Sequence, residues 1–337
     1  MSYINSEGYD VTMKDGFGRE IDYLRISVTD KCNLRCRYCM PKQGVAVMPH
    51  EEVLTLEEIF RVVRIMESLG VKKIRFTGGE PLVRKNLVKL IGDVNGLAGI
   101  SDIALTTNGL LLERYIDALK QAGLKRVNIS LDTLEPSVFK QITGDDGLAR
   151  VLAAVDAALD RGMQVKINCV PCRELNDGGI EELAGLAREK AVDVRFIELM
   201  PIGCGKNFHG ISSEEILGRL ELQYGASQNV PPERKSGTAQ HYVFDCFKGK
   251  IGFISPMSHK FCGACNRVRL TADGQLKLCL HYENGLALKP LLRQGAEDDE
   301  IRERIAAAVK EKPRAHSFSD KKAQEHEEKR KMVQIGG

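Results

Sequence analysis

The sequence predicts an α/β chain, an incomplete (β/α)6 barrel of the TIM type followed by a smaller C-terminal α+β module. Three observations lead there. From Tyr23 onward, six β-rich apolar runs alternate with segments of helical periodicity. Such alternation forces parallel strands joined by right-handed crossovers. Polar residues also gather at the C-terminal ends of the strand candidates, the ends that a barrel collects around one mouth. Finally, "GASQNVPPERKSGTAQ", rich in Gly, Pro and polar residues, reads as a linker to a second module.

The strands are expected in "YLRISVTD" from Tyr23, "KKIRFTG" from Lys72, "DIALTTNG" from Asp102, "RVNISLD" from Arg126, "QVKINCVP" from Gln164 and "DVRFIELMP" from Asp193. Helices are expected in "TLEEIFRVVRIMESLG", with Thr55 as N-cap and Gly70 as the stop, then in "LVKLIGDV", "LLERYIDALKQAG", "LARVLAAVDAALDRG", "GIEELAGLAREK" and "SSEEILGRLELQYG". The polar strand ends are Thr77-Gly78-Gly79-Glu80, Thr106-Thr107-Asn108, Ser130 and Asp132, Asn168, and Glu198 to Met200. The resulting division is an extension over 1–22, the barrel over 23–225 and the C-terminal module over 226–337. A charged helical tail is expected around "SDKKAQEHEEKRK", whose acids and bases interleave as on a solvated face.

Composition narrows the partners. With 49 basic against 46 acidic residues in 337, the net charge of +3 generates no field that would recruit nucleic acid or an anionic membrane. No apolar run approaches bilayer length and the first thirty residues lack a signal-peptide layout, so a cytoplasmic protein is expected. Ten cysteines in that compartment point to metal or redox chemistry, not disulfides.

Six of them form two constellations. "KCNLRCRYCMP" places Cys32, Cys36 and Cys39 in a C-x3-C-x2-C pattern with no fourth Cys or His close behind, His50 being the nearest. A closed zinc site wants four ligands. A [4Fe-4S] cluster suits three thiolates and leaves one iron open for a non-protein ligand. "FCGACNRVRLTADGQLKLCLH" carries Cys262, Cys265 and Cys279, where His281 could complete a Cys3His zinc ribbon, so zinc and an iron-sulfur cluster both remain open on spacing alone. The chain has no G-x4-GK[ST] loop to hold a polyphosphate. Arg267 and Arg269, two apart on an extended segment, project to one side and offer phosphate-binding forks instead.

The C-x3-C-x2-C motif with Tyr38 before its last Cys, together with "FTGGEPLVR", resembles the radical S-adenosylmethionine enzymes. In that motif Gly78 and Gly79 let backbone approach a ligand closely, and Glu80 offers a carboxylate to an ammonium. The resemblance extends through "LTTNG", "NISLDTL", "ELMPIG", "ISPMSHKFCGACNRVRLTADGQLKLCL", "KPRAHSF" and the terminal "IGG" to the GTP 3',8-cyclase family of molybdenum cofactor biosynthesis. It implies two [4Fe-4S] clusters, one cleaving S-adenosylmethionine and one, in the C-terminal module, whose open iron touches the guanine of GTP. That replaces zinc at the second constellation. The implied reaction is hydrogen abstraction from C3' of GTP and attack of the carbon radical on C8, giving (8S)-3',8-cyclo-7,8-dihydroguanosine 5'-triphosphate.

The resemblance also assigns residues. Tyr38, Gly79, Glu80, Ser130 and Met200 match S-adenosylmethionine contacts. Arg25, Arg75, Thr106, Lys166, Arg267, Val268 and Arg269 match GTP contacts. Gly336 and Gly337 match a tail that inserts toward the active site and helps set an arginine, so these two and the paired arginines are the expected catalytic support. Cys169, Cys172, Cys204 and Cys246 match no family role and read as spare thiols. The implied partners are a reductant such as flavodoxin or ferredoxin, a cyclic pyranopterin monophosphate synthase downstream, and a second copy of the chain. A peptide maturase would carry more C-terminal cysteines, and a simple electron carrier would need no Gly-Gly-Glu.

Overall fold

Successive residues of a strand face opposite sides of its sheet, and along this chain the two sets differ in kind. In β1 (Tyr23–Ser27) Leu24 and Ile26 are fully buried while Tyr23 and Arg25 are partly open, and β2 (Lys73–Thr77) repeats this with Ile74 and Phe76 against Lys73 and Arg75. The computed structural model describes residues 12–231, 238–318 and 327–336. It continues the pattern through β3 (Asp102–Thr107), β4 (Arg126–Ser130), β5 (Gln164–Cys169) and β6 (Val192–Ile197). One face of the sheet is therefore aliphatic and the other polar.

The aliphatic face is covered by the crossover helices. These are α1 (Leu56–Ser68), α2 (Leu87–Asn95), α3 (Leu112–Gln121), α4 (Pro136–Thr143), α5 (Leu148–Asp160) and α6 (Ile180–Glu189). α1 starts where the sequence says it should: Thr55 Oγ1 accepts from Glu58 N at 3.1 Å while Glu58 Oε2 accepts from Thr55 N at 2.7 Å. Such a box is worth about 1 kcal/mol. α4 was not among the expected helices. Its signals are present all the same, with Pro136 at the first position, Glu135 accepting from Ser137 N, and Gly144 closing it at φ 79°.

After α7 (Ser213–Tyr224) the expected linker is only partly one. Ser227–Val230 forms β7, paired antiparallel with β8 (Gln240–Phe244), and residues 232–237 lie outside the described set. Its polar side chains hid it, since a short edge strand is held by backbone hydrogen bonds and needs no apolar face. The remaining elements are β9 (Ile251–Ile254), β10 (Arg267–Leu270), β11 (Gln275–Lys277), β12 (Gly285–Ala287), α8 (Leu288–Arg293), α9 (Asp298–Lys310) and the single turn α10 (Met332–Ile335). Most of the expected helical tail, 319–326, falls outside the described residues; Glu327 bridges Tyr282 as a strand residue.

All these strands join one sheet in the order β12-β11-β10-β1-β2-β3-β4-β5-β6-β9-β8-β7. The run from β10 through β1 to β6 and on to β9 is parallel throughout. Segments beyond residue 225 thus extend both edges of the early sheet, and they bring Cys265 and Arg267 alongside β1. No helix among the described residues is long and apolar enough to cross a membrane.

Candidate active site

The loop after β1 carries the first three cysteines, and its shape is fixed by neighbours on every side. Arg35 N and Arg37 N donate to Thr143 O and Ile142 O at 2.8 and 3.0 Å, tying it to the end of α4. Cys39 N and Met40 N both donate to Cys36 O, folding Cys36 and Cys39 into one turn. Tyr38 donates from its hydroxyl to Asp132 Oδ2 at 2.7 Å. Burial pushes the Cys36 thiol well above its ordinary value, with Cys39 and Asp132 adding to it; burial, then Cys32 and Cys204, push Cys39 up to about 12. These thiols are poised to stay protonated until a cation arrives.

The Gly-Gly-Glu after β2 packs directly on that loop. Gly79 N and Glu80 N donate to Thr29 O and Lys31 O at 2.8 Å, and a Cβ on either glycine would collide with those carbonyls. The glycines are thus needed for backbone to approach backbone. Glu80 is fully buried behind the cavity wall, where its carboxylate accepts from Leu82 N, Thr107 Oγ1 and Asn108 N at 3.0, 2.8 and 2.7 Å. Burial raises it to about 7 against the pull of those donors. The expected carboxylate facing an ammonium is instead a clamp joining the loops after β2 and β3.

The second three cysteines sit among cations. Lys312, 3 % exposed, donates to Arg267 O at 2.8 Å and to Leu278 O, so it braces the segments that carry Cys265 and Cys279. Burial raises the Cys265 thiol, but Lys312 and Arg267 outweigh it and hold it down at about 7. His281 does not turn toward these thiols as a fourth ligand; its ring packs on Phe318 and its Nε2 lies 3.2 Å from Ser317 Oγ.

Both sets line one cavity of about 490 Å³. The same wall carries Tyr38, Gly79, Ser130 and Met200 together with Arg25, Arg75, Thr106, Lys166, Arg267 and Arg269. Two expected contacts are absent from that wall. Glu80 is one; Val268 is the other, fully buried because it alternates with Arg267 and Arg269 on β10 and faces the aliphatic side. Gly336 reaches the site through its backbone, its carbonyl accepting from Arg269 Nη1 at 2.7 Å, and Gly337 lies outside the described residues. Cys169 and Cys172 are buried thiols, Cys169 accepting from Asn176 Nδ2 at 3.4 Å.

The wall also holds Asn168, one of the polar strand ends, and residues that motif reading missed, among them Tyr23, Lys73, Arg126 and Arg195. For Tyr23, Lys73 and Arg126 the signal was the period of two, since each shares a strand face with an expected contact, whereas β6 carries none to point to Arg195. Arg195 Nη2 donates to Asn128 Oδ1 at 2.5 Å, and Gly252 on β9 makes room, because a Cβ there would come within 2.9 Å of the Arg195 side chain. Burial, then the neighbouring guanidinium of Arg75, brings Arg195 down to about 9; burial and Arg267 bring Arg269 to about 10. Arg75 Nε, Arg126 Nε, Arg195 Nε, Thr106 Oγ1 and Asn168 Oδ1 are buried without a hydrogen-bond partner among the described residues. Buried polar atoms are rarely left so, and these five belong to residues lining one cavity, whereas Asp30 Oδ1, also without a partner among the described residues, does not.

Known proteins resemble this chain over nearly its whole length. Residues 26–187 match the Radical SAM superfamily and residues 192–318 match Molybdenum Cofactor Synthesis C. The chain is 48 % identical over 325 residues to a GTP 3',8-cyclase of Clostridium perfringens, covering 96 % of this chain and all of that one. It is 47 % identical over 332 residues to a GTP 3',8-cyclase of Alkaliphilus oremlandii, again over 96 % of this chain and all of the relative. Among solved structures, Streptococcus suis SuiB bound to its precursor peptide SuiA shares the fold with a TM-score of 0.59 at 14 % identity, over 93 % of this chain and 75 % of that one. The two curated relatives span the whole cavity-forming chain, both cysteine sets included, and on that basis the protein belongs to the GTP 3',8-cyclase family of radical SAM enzymes.

Proposed function

We propose that the cavity is where this enzyme, a radical SAM GTP 3',8-cyclase, converts GTP to (8S)-3',8-cyclo-7,8-dihydroguanosine 5'-triphosphate in molybdenum cofactor biosynthesis. The observation that carries this is the single cavity shared by two separate cysteine triads, with a crowd of buried cations on the same wall. Six intervals of about 4.8 Å would spread the seven strands from β10 to β6, if flat, over roughly 29 Å, so a common wall built from β10 and β6 supports a sheet curved into an incomplete barrel. The C-terminal module then supplies its closing edges and a second cluster.

The donor sets fit the groups implied. Cys32, Cys36 and Cys39 would hold one [4Fe-4S] cluster, and Cys262, Cys265 and Cys279 the other. Among the described residues no three Cys, His, Asp or Glu side chains are close enough to share one metal ion, whereas an inorganic core of several irons takes more widely spread thiolates. Bound beside the first cluster, S-adenosylmethionine supplies the radical that takes hydrogen from C3' of the ribose. The chain's own residues do the rest. Tyr38, Gly79, Ser130 and Met200 form the wall against which that cofactor would lie, with Glu80 setting the loops behind it. Arg25, Arg75, Lys166, Arg267 and Arg269 meet the triphosphate, a polyanion being what a buried cluster of guanidiniums lacks. Thr106 offers its unpartnered hydroxyl. Their rigid seating on strands restricts the ribose to one pose and excludes water, which a radical step needs more than acid or base groups.

A flavodoxin or ferredoxin would supply the electron, a cyclic pyranopterin monophosphate synthase would take the product, and a homodimer is the expected assembly. The test is anaerobic reconstitution followed by dithionite, S-adenosylmethionine and GTP deuterated at C3'. Deuterium in the 5'-deoxyadenosine formed supports the reading. Unlabelled 5'-deoxyadenosine overturns the pose of GTP, and none at all with both clusters loaded overturns the enzyme.

A further inference from the structure

The C-terminal segment ends against the cavity, but the forces that put it there act elsewhere. Met332 and Val333 line the wall, the Val333 amide faces the Cys39 thiol, and the Gly336 carbonyl receives Arg269 Nη1. Gly336 sits at φ 73° within 3.0 Å (from its would-be Cβ) of the Ser27 side chain, a place no other residue fills without strain. Among the described residues this end is held by the Arg269 and Cys39 contacts and by the packing of Val333 and Ile335 from a four-residue turn, with no ion pair.

At the other end of the segment the hold is strong. Glu328, its side chain 1 % exposed, pairs with Lys277 Nζ, whose own side chain is fully buried on β11. Both carboxylate oxygens are engaged, since Arg330 Nε and Nη2 donate to Oε1 and Oε2 at 3.0 and 3.1 Å. The Glu328 amide donates to His281 O at 2.8 Å, and Lys277 Nζ also reaches Tyr282 O. Arg330 is steadied in turn by Asp273 at 3.4 Å. None of Lys277, Glu328 and Arg330 lines the cavity, so substrate contact does not account for a buried, fully satisfied ion pair at this place.

We propose that the Lys277–Glu328 pair, braced by Arg330, is a latch that seats the C-terminal segment, and that these are positioning residues acting on Arg269 through the Gly336 carbonyl. The inference rests on the reading of the cavity as the GTP site. Removing Glu328 leaves Lys277 buried without its carboxylate, removing Lys277 leaves Glu328 to Arg330 alone, and either loss weakens the hold of the segment on β11. Arg269 then loses the acceptor that orients it.

Three variants test this in the full-length, cluster-loaded enzyme, namely Glu328→Gln, Lys277→Met and the charge-keeping Lys277→Arg. Hydrogen–deuterium exchange over residues 327–336 and over β1 to β6 is read beside turnover. Glu328→Gln and Lys277→Met are expected to speed exchange of the segment at least tenfold with β1 to β6 unchanged. Cyclised product at saturating GTP should fall at least tenfold while S-adenosylmethionine cleavage persists, and Lys277→Arg should recover most of both. Unchanged exchange in the segment overturns the latch. So does exchange that rises across the whole sheet, which makes the pair a general support, or a loosened segment with normal turnover, which leaves nothing for it to position. A wild-type enzyme that makes no cyclised product would defeat the reading of the site alone, and the exchange data would still decide the latch.

Discussion

Cys32, Cys36 and Cys39 are packed among apolar and acidic neighbours, whereas Cys265 lies beside Lys312 and Arg267 on the same cavity. Burial pushes Cys36 and Cys39 upward with nothing cationic to oppose it, while Cys265 is held at about 7. Solvent exclusion is common to both regions, so charge sets the difference. With iron proposed at both triads, the first region suits a further group that brings its own positive charge, a sulfonium. The second belongs to a field of buried guanidiniums and is shaped for anions, a triphosphate included.

The sharpest way to break this comparison is to remove one thiol from each triad. Cys36→Ala is expected to lose about four irons per chain and to stop 5'-deoxyadenosine formation altogether, a drop of more than about a thousandfold, or ~4 kcal/mol of barrier. Cys265→Ala should lose about as many irons yet keep S-adenosylmethionine cleavage, uncoupled from cyclisation. Iron analysis and product chromatography separate the two, and equal loss of cleavage would mean the regions are not distinct in role. A step smaller, Arg267→Ala removes charge-assisted contacts worth about 1.5–3 kcal/mol, so GTP should bind about 10- to 150-fold more weakly with both clusters present. Unchanged GTP affinity in calorimetry would take Arg267 out of the site.

Much of this was legible before the fold was known. The six strands, the Thr55 box and the Cys32–Cys39 triad could be read because each depends on spacing within a few residues. What escaped was long-range. Nothing local in "NRVRL" says that β10 will lie beside β1 with Arg269 opposite Arg25, and nothing in "IGFI" says that β9 will extend the other edge beyond β6. Arg126 and Arg195 were missed for a different reason, since a lone arginine on a strand reads as a surface residue until the polar face is known to line a cavity. Glu80 shows the reverse case, in which a motif named a residue without the hydrogen bonds to Leu82, Thr107 and Asn108 that hold its carboxylate.

Glu80→Gln therefore sharpens the first region. The amide would set an N–H group against donors that now meet carboxylate oxygens, costing about 1–3 kcal/mol, visible as a fall of several degrees in Tm of the cluster-free protein. A normal Tm with weakened S-adenosylmethionine binding would instead mean that the carboxylate faces the cofactor in the loaded enzyme.

The smallest effect opposes two carboxylates, one in each region. Asp132, which anchors Tyr38, is raised to about 6 by burial, even though Tyr38 and Val170 N pull it down. A raised carboxyl contributes stability that is present in full below its unfolded value near 3.8 and is lost as pH rises through 6. Glu328 runs the other way. Burial lifts it, but Arg330 and Lys277 prevail and hold it at about 2, so its contribution is present above about 4.5 and is lost as pH falls toward 2. Each amounts to a few kcal/mol at most. In the cluster-free protein, amide exchange corrected for its intrinsic pH dependence should therefore slow in the Cys32–Cys39 loop from pH 7 to pH 4, while the 327–336 segment stays protected until pH drops below about 4.5 and then loosens. Parallel pH profiles in the two segments would mean that a single global equilibrium, not two local carboxylates of opposite sign, governs the walls of the cavity.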